Sequence, residues 1–330
     1  MQVNSGEKSA VAGIMGRLFP HLAGLTIVVY LVHRVTLGGL LNSISRAQFD
    51  YFIILSIAFV IIDFYLGCAG LRVLISKCIT NTFMKETILV RAITRFVGIV
   101  NVWAGNIGMS AYYSRRGNLP MAYSSGTFLL LGYVDMFCVG LFSGMFFRPA
   151  GRPHEMLMVA CMGAGLSLLP LLLLARWISG KMLGGVEDQS FWFTRNSTRQ
   201  LFASLFLVPV QDLFLLIFSR MAIHPLRAVY LILALKTFNV DASLGDCLAI
   251  SAVVMLAGSI PLTLRGLGLL QAIGLVLLGW TGPQSDILAA TLMISVGLVA
   301  GDIAFGFYYL KGGLALFQDT SKGKDQINSP

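Results

Sequence analysis

At 330 residues, 56% hydrophobic and only 12% charged, with a mean hydropathy of +0.80, the chain is too apolar for a soluble domain, where about a quarter of residues carry charge. The formal charge of +9 would point a soluble protein toward nucleic acid; in a membrane protein Lys and Arg gather in cytoplasmic loops as orientation signals, so no nucleic-acid partner is expected. The five cysteines (Cys68, Cys78, Cys138, Cys161, Cys247) form no CxxC pair and the four histidines (His21, His33, His154, His224) do not cluster, so the sequence indicates neither a metal site nor a disulfide framework.

Residues 1–17 are polar and lack a small-residue cleavage site, which predicts a cytoplasmic lead-in to a retained first span. Apolar segments follow at about 18–41, 51–75, 89–112, 121–147, 156–176, 199–219, 228–238, 247–278 and 286–310. Most have the ~20 residues that a helical crossing needs. The segment 228–238 is too short, and reads as interfacial or as part of a bent helix. A polar tail, 318–330, is expected to be disordered. The expected fold is an all-α polytopic membrane protein with about 8 hydrophobic segments, forming one membrane domain over 18–317 in two halves, 18–150 and 151–317.

Two segments are irregular in the same way. One carries Arg91, Arg95, Asn101, Gly105, Asn106 and Gly108; the other carries Gly258, Pro261, Arg265, Gly266 and Gly268. Ala104-Gly105-Asn106-Ile107 matches Ala257-Gly258-Ser259-Ile260, 153 residues on, as a helix break. Each break has an intramembrane aspartate before it (Asp63, Asp212) and another after it (Asp135, Asp302). The ordered series, met twice, predicts an internal repeat. Basic residues near both termini (Lys8, Arg17; Lys311, Lys322, Lys324) place both in the cytoplasm. If each broken segment is re-entrant, every half has three crossings and the second half is inverted, as in many transporters. Arg220, Arg227 and Lys236 resist this scheme, which puts them in an outside loop; either 228–238 joins a tilted span or the boundaries differ.

A helix break in lipid strands backbone N–H and C=O groups unless protein or a wet cavity satisfies them. Pro261 alone reads as a tolerated kink; together with Arg265, Gly266 and Gly268 it reads as a re-entrant or cavity-lining turn. Arg265 either snorkels to a headgroup or serves as a phosphate partner through its forked donors. Arg91 and Arg95 share a helical face by i,i+4 spacing and form a cationic stripe. The four aspartates either pair with these arginines or couple ions. No nucleophile elbow, phosphate loop, HExxH or dinucleotide fingerprint is found, so neither an enzyme nor a cofactor is expected.

The stretch Pro261-Leu-Thr-Leu-Arg265-Gly266-Leu267-Gly268-Leu-Leu-Gln271-Ala272 resembles the Pro-x-x-x-Gly-Gly-Leu-Gly-x-x-Glu-Ala element of the lysylphosphatidylglycerol synthase transmembrane-region family. That family includes the flippase half of the multiple peptide resistance factor and stand-alone flippase-like proteins. In the first half Asn101-x-x-x-Gly105-x-x-Gly108 and Tyr112-Tyr113-Ser114-Arg115-Arg116-Gly117 carry the same likeness. Arg265 stands where the family prefers glycine, Gln271 where it prefers glutamate, and Gly105 where a proline is expected. The resemblance implies paired re-entrant elements and a lipid-handling role without the family's soluble synthase domain.

The expected function is a lipid translocase that accepts an anionic or polar headgroup between the two broken segments. Arg265, Arg91, Arg95, Asn101 and Asn106 would bind the headgroup. Two alternatives stand: an ion-coupled transporter of a small organic anion, and a non-transporting membrane partner of a lipid- or glycan-modifying enzyme. The expected location is the plasma membrane, a bacterial inner membrane.

Overall fold

The computed structural model describes residues 22, 24–146, 155–182, 200–201, 203, 208–258 and 267–325, and every regular element within them is an α-helix. Pro261, Arg265 and Gly266, the lead-in 1–17 and the last five residues lie outside the described residues.

Helices α1 (Gly24–Val35) and α2 (Leu37–Arg46) meet at an angle of 86°. Thr36 stands at the corner, where its Oγ1 accepts from the Gly39 N–H at 3.2 Å. Helix α3 (Phe49–Cys78) has 30 residues, about 45 Å at 1.5 Å per residue, enough to cross a ~30 Å hydrocarbon layer. Its polarity is inside out: Ile54, Ile57, Ile61 and Ile62 are exposed, while Asp63 is buried beside Phe64, Gly67 and Gly70. Water would penalise that exposed isoleucine face, whereas lipid accommodates it.

Helices α4 (Met84–Val100) and α5 (Val102–Gly117) form an antiparallel hairpin that turns at Asn101, whose extended backbone (φ −150°, ψ 108°) interrupts the helical path. The Asn101 Oδ1 accepts from the Ala104 N–H at 3.2 Å and so caps α5. Gly105 lets the arms touch, because a Cβ there would overlap the Thr94 carbonyl oxygen. Farther down, Tyr112 Oη donates to Glu86 Oε1 at 2.8 Å. The break therefore falls at Asn101, and Ala104–Ile107 is helical.

Helix α6 (Met121–Phe146) packs on α7 (Glu155–Met182), which contains Pro170. Then α8 (Val210–Met221) and α9 (Ile223–Lys236) run on as one apolar span of 27 residues, Val210–Lys236. Pro225 does not end it, since it lies in the first turn of α9, where backbone N–H groups have no intrahelical acceptor anyway. Helices α10 (Leu244–Gly258) and α11 (Leu269–Leu278) follow, and α12 (Gln284–Asp325) completes the described chain. The tail expected to be disordered is helical as far as Asp325, continuing α12.

Among the described residues four helices are long and apolar enough to cross a membrane unaided: Phe49–Cys78, Met121–Phe142, Val210–Lys236 and Gln284–Leu316. This is a membrane-embedded helical protein. Several expected segments take a particular form among the described residues: 18–41 contains the corner at Thr36, 89–112 folds back at Asn101, 247–278 includes two short helices, and 210–219 runs on into 228–238 as one span. The fusion also settles Arg220 and Arg227, which belong to a helix interior and not to a loop.

The order span, helix pair, span occurs twice, with starts at 49, 84 and 121 and again at 210, 244 and 284, an offset of about 160 residues. That register sets Asn101 against Pro261 and Gly108 against Gly268, seven residues away from the register of the Ala-Gly-Asn-Ile match. Packing is reciprocal: α3 lies on α9, the hairpin helix α4 lies on α12, and α10 lies on α6. The main apolar core, with Phe52, Phe238, Leu248 and Ile287 among its members, sits where both halves meet.

The hairpin contact yields a graded test. Gly105→Ala is expected to cost about 1–3 kcal/mol through overpacking. Gly108→Ala is expected to be close to neutral, because its Cβ would meet Thr94 Cγ2 at an ordinary 3.9 Å. Thermal unfolding of the purified variants in detergent measures the difference.

Candidate functional site

Helical periodicity places Asp63, Gly67 and Gly70 on one face of α3, at i, i+4 and i+7. The two glycines clear space for arginines. A Cβ on Gly67 would stand 2.5 Å from Arg91 Nη2, and one on Gly70 would stand 2.9 Å from Arg220 Cδ. Arg91 and Arg95 come from α4 by their i,i+4 spacing, Arg220 from α8 and Arg227 from α9.

Asp63 is the hub. Its Oδ2 accepts from Arg95 Nη2 and its Oδ1 from Arg227 Nε, each at 2.9 Å. Arg95 also reaches Asp302 on α12 (Nη1 to Oδ1, 3.6 Å) and lies 5.8 Å over the Phe64 ring. Asp135 on α6 takes Arg220 as a two-pronged fork, Nε to Oδ1 at 2.5 Å and Nη2 to Oδ2 at 2.7 Å, with His224 Nε2 at 3.5 Å. Such forks are the strong form of ion pair, and a guanidinium in lipid needs one. Thus Asp63, Asp135 and Asp302 all face arginines. Asp212 is different: it stands in the first turn of α8 and pairs with Lys77 in the last turn of α3 at 2.9 Å, half in the open.

Two cavities flank this cluster. The first, about 340 Å³, is lined by Arg91, Arg95, Asn106, Asp135, Arg220 and Arg227 among others. The second, about 280 Å³, is lined by Asp63, Arg95, His224, Arg227, Ser251 and apolar residues of α10 to α12. They share Arg95 and Arg227, the two guanidinium groups that Asp63 holds. The Arg95–Asp63–Arg227 bridge is therefore their common wall. The hairpin α4–α5 contributes to the first cavity, and α10 and α11 contribute to the second. A larger groove of about 690 Å³ between α3 and α12 has no charged lining and shares no residue with either. The ionic chemistry lies in the two smaller cavities.

The expected site residues divide accordingly. Arg91, Arg95 and Asn106 line the first cavity, whereas Asn101 forms the hairpin turn. Gly105 and Gly108 lie within α5, where Gly105 is a packing residue, and Gly258 ends α10. Gly268 precedes α11 with φ +89°, a conformation that suits glycine, and its missing Cβ admits the Gly24 carbonyl of α1. Sequence reasoning missed Arg220, His224 and Arg227. Their i, i+4, i+7 spacing was the available signal, since it puts all three on one face of a continuous helix.

Gln271 is fully buried and structural. Its Oε1 accepts from the Gly268 N–H at 2.6 Å, and its Nε2 donates to the Thr291 carbonyl at 3.2 Å and to Ser295 Oγ at 2.9 Å. This position needs one acceptor and one donor, which an amide supplies and an ionised carboxylate does not. Gln271→Glu is therefore expected to melt progressively earlier as pH rises from 5 to 8, because deprotonation puts a charged acceptor against the Thr291 carbonyl and Ser295 Oγ in a buried site. Gln271→Leu is expected to lose about 1–3 kcal/mol at every pH, having stranded the Gly268 N–H. Melting curves across that pH range separate the two.

No protein-family model matches the chain, and no curated protein matches it.

Proposed function

We propose that the chain is a membrane translocase that admits an anionic or polar lipid headgroup to the two cavities and passes it across the wall between them. The observation that carries this reading is a pair of cavities that share Arg95 and Arg227, the two guanidinium groups Asp63 holds, inside a frame whose outer faces are apolar. An ion-pair wall suits a gate: an incoming anion competes with Asp63 for the same guanidinium donors, and its departure restores the bridge. Reciprocal packing of the two halves supports an inverted repeat, in which the hairpin α4–α5 and the element from α10 to α11 open to opposite sides. Arg265, seven residues after Gly258 and three before Gly268, would meet the headgroup at the second element.

The cavity of about 340 Å³ also favours a second reading, an ion-coupled transporter of a small organic anion, since that volume suits a small solute as well as a headgroup. Both readings place the plasma membrane around the protein and its termini in the cytoplasm.

Proteoliposomes loaded with fluorescent phospholipids and glycolipids separate them. The wild type is expected to speed lipid crossing over empty vesicles, and Arg95→Gln and Arg265→Ala to slow it at least about tenfold, the value of one lost charge-assisted contact. A wild type indistinguishable from empty vesicles across the panel sinks the translocase. Uptake of a soluble anion that depends on a proton or sodium gradient then supports the second reading. For topology, single cysteines at Asn106 and Ser259 in a cysteine-free background are expected to label from opposite sides. Labelling of both from one side ends the inverted arrangement.

A further inference from the structure

His224 is the buried titratable group that the ionic cluster leaves unused. It is 1% exposed, and its Nε2 approaches Asp135 Oδ1 at 3.5 Å without forming a hydrogen bond. Asp135 lines the first cavity and His224 lines the second, so this contact links a residue of one space to a residue of the other. The remaining charged members of the cluster are poor carriers of a proton. A guanidinium keeps its charge throughout the physiological range. Asp63 accepts from Arg95 and Arg227 on separate oxygens, and Asp135 accepts from Arg220 on both of its own. Histidine is the side chain whose ordinary titration falls between about pH 5 and 8.

Charged groups meet His224 from several elements: Asp135 from α6, Arg220 from α8 and Arg227 from α9 itself. The other packed helices bring Asp63 from α3, held by Arg227, and Asp302 from α12, held by Arg95. Helix α10 lines the second cavity with Ile250, Ser251 and Val254, none of them charged. These surroundings fix what a proton does. The carboxylate favours the neutral tautomer with its hydrogen on Nε2, which leaves Nδ1 to take a proton from water. The imidazolium so formed donates to Oδ1 with a full charge behind it. Oδ1 is also the acceptor of Arg220 Nε, so two cations compete for one oxygen and protonation loosens one prong of the fork. Arg220 lines the first cavity, where a loosened guanidinium favours an anion. Linkage makes the effect reciprocal: a proton on His224 strengthens anion binding, and an anion in the first cavity strengthens proton binding.

We infer that His224 is a proton-binding site that couples the two cavities, so that a proton and an anion are taken up together and released together. The inference rests on the proposed translocation for the movement of the anion, but not for the proton site itself. It supplies a driving force and a direction, since cargo follows the proton toward the alkaline side.

Two measurements on the full-length protein test this. Replacing His21, His33 and His154 by glutamine leaves His224 as the only histidine, and nitrogen NMR of the labelled side chain in detergent reads its protonation. His224 is expected to change protonation state between about pH 4 and 9, and the change to move when Asp135→Asn is added. Arg220→Lys keeps the charge but gives up the fork; it is expected to move the titration too, and serves where Asp135→Asn does not fold. A histidine that keeps one state across that range, or a titration indifferent to both substitutions, overturns the site. Proteoliposomes carrying fluorescent phosphatidylglycerol, or loaded with lactate, then read the coupling. A gradient of one pH unit is expected to bias one of these anions toward the alkaline side, by up to about tenfold over empty vesicles, the ratio that one proton per cargo allows. His224→Gln is expected to abolish the bias. Crossing that ignores the gradient in the wild type, or a bias that survives His224→Gln, overturns the coupling. A protein whose His224 titrates yet moves neither anion removes the translocase and leaves the proton site; crossing without a titrating His224 does the reverse.

Discussion

Asp63 accepts two guanidinium groups from opposite halves of the chain, Arg95 from α4 and Arg227 from α9, and most of the interior depends on that double pairing. A lone arginine near a bilayer centre costs several kcal/mol even by the mildest scales, and breaking a buried pair costs about 3–5 kcal/mol. Neither half can satisfy its own charges. Arg227 has its carboxylate in the first half, and Asp135 has its fork partner Arg220 in the second. The ionic cluster therefore acts as a register lock, admitting only the arrangement in which α3 faces α8 and α9 through Asp63, Gly67 and Gly70.

Apolar packing repeats the constraint at larger scale. Each helix pair leans on a span from the other half, α4 on α12 and α10 on α6, so removal of either half would expose the inner face of the other. Glycines set how closely these elements approach. Gly105 brings α5 onto the Thr94 carbonyl, and Gly268 brings α11 onto the Gly24 carbonyl, both closer than any Cβ would permit. The outer faces, rich in exposed isoleucine, impose no comparable specificity and need only be apolar.

What the sequence disclosed follows from the same division. The segments 51–75, 121–147 and 286–310 lie within a few residues of α3, α6 and the apolar part of α12, because a long run of apolar residues has one outcome in lipid. Asp63, Arg91, Arg95, Asp135 and Asp302 stood out because each breaks such a run. Arg220 and Arg227 go to an outside loop, and His224 is left out of the site, because four polar or helix-breaking residues within eight positions, Pro225 included, look like a loop when read locally. Their partners, Asp63 and Asp135, are more than 80 residues away in sequence, and no local property announces them. The Ala-Gly-Asn-Ile match misled for a related reason. Small residues mark close helix contact as readily as a helix end, and here they mark contact one turn beyond the break at Asn101.

The distribution of partners also separates support from function among the arginines. Arg95, Arg220 and Arg227 neutralise carboxylates that folding has already removed from water, so their presence is explained by stability alone. Arg91 neutralises nothing and is crowded by Arg95 and Arg220, whose like charge makes its burial still less favourable. Stability would be served better by a methionine or leucine at that position. Polar neighbours such as Thr94 and Asn106 line the same cavity, which gives that space the character of a wet site and not of a packed core. Among the four arginines of the cluster, Arg91 is thus the one whose burial ion pairing does not account for.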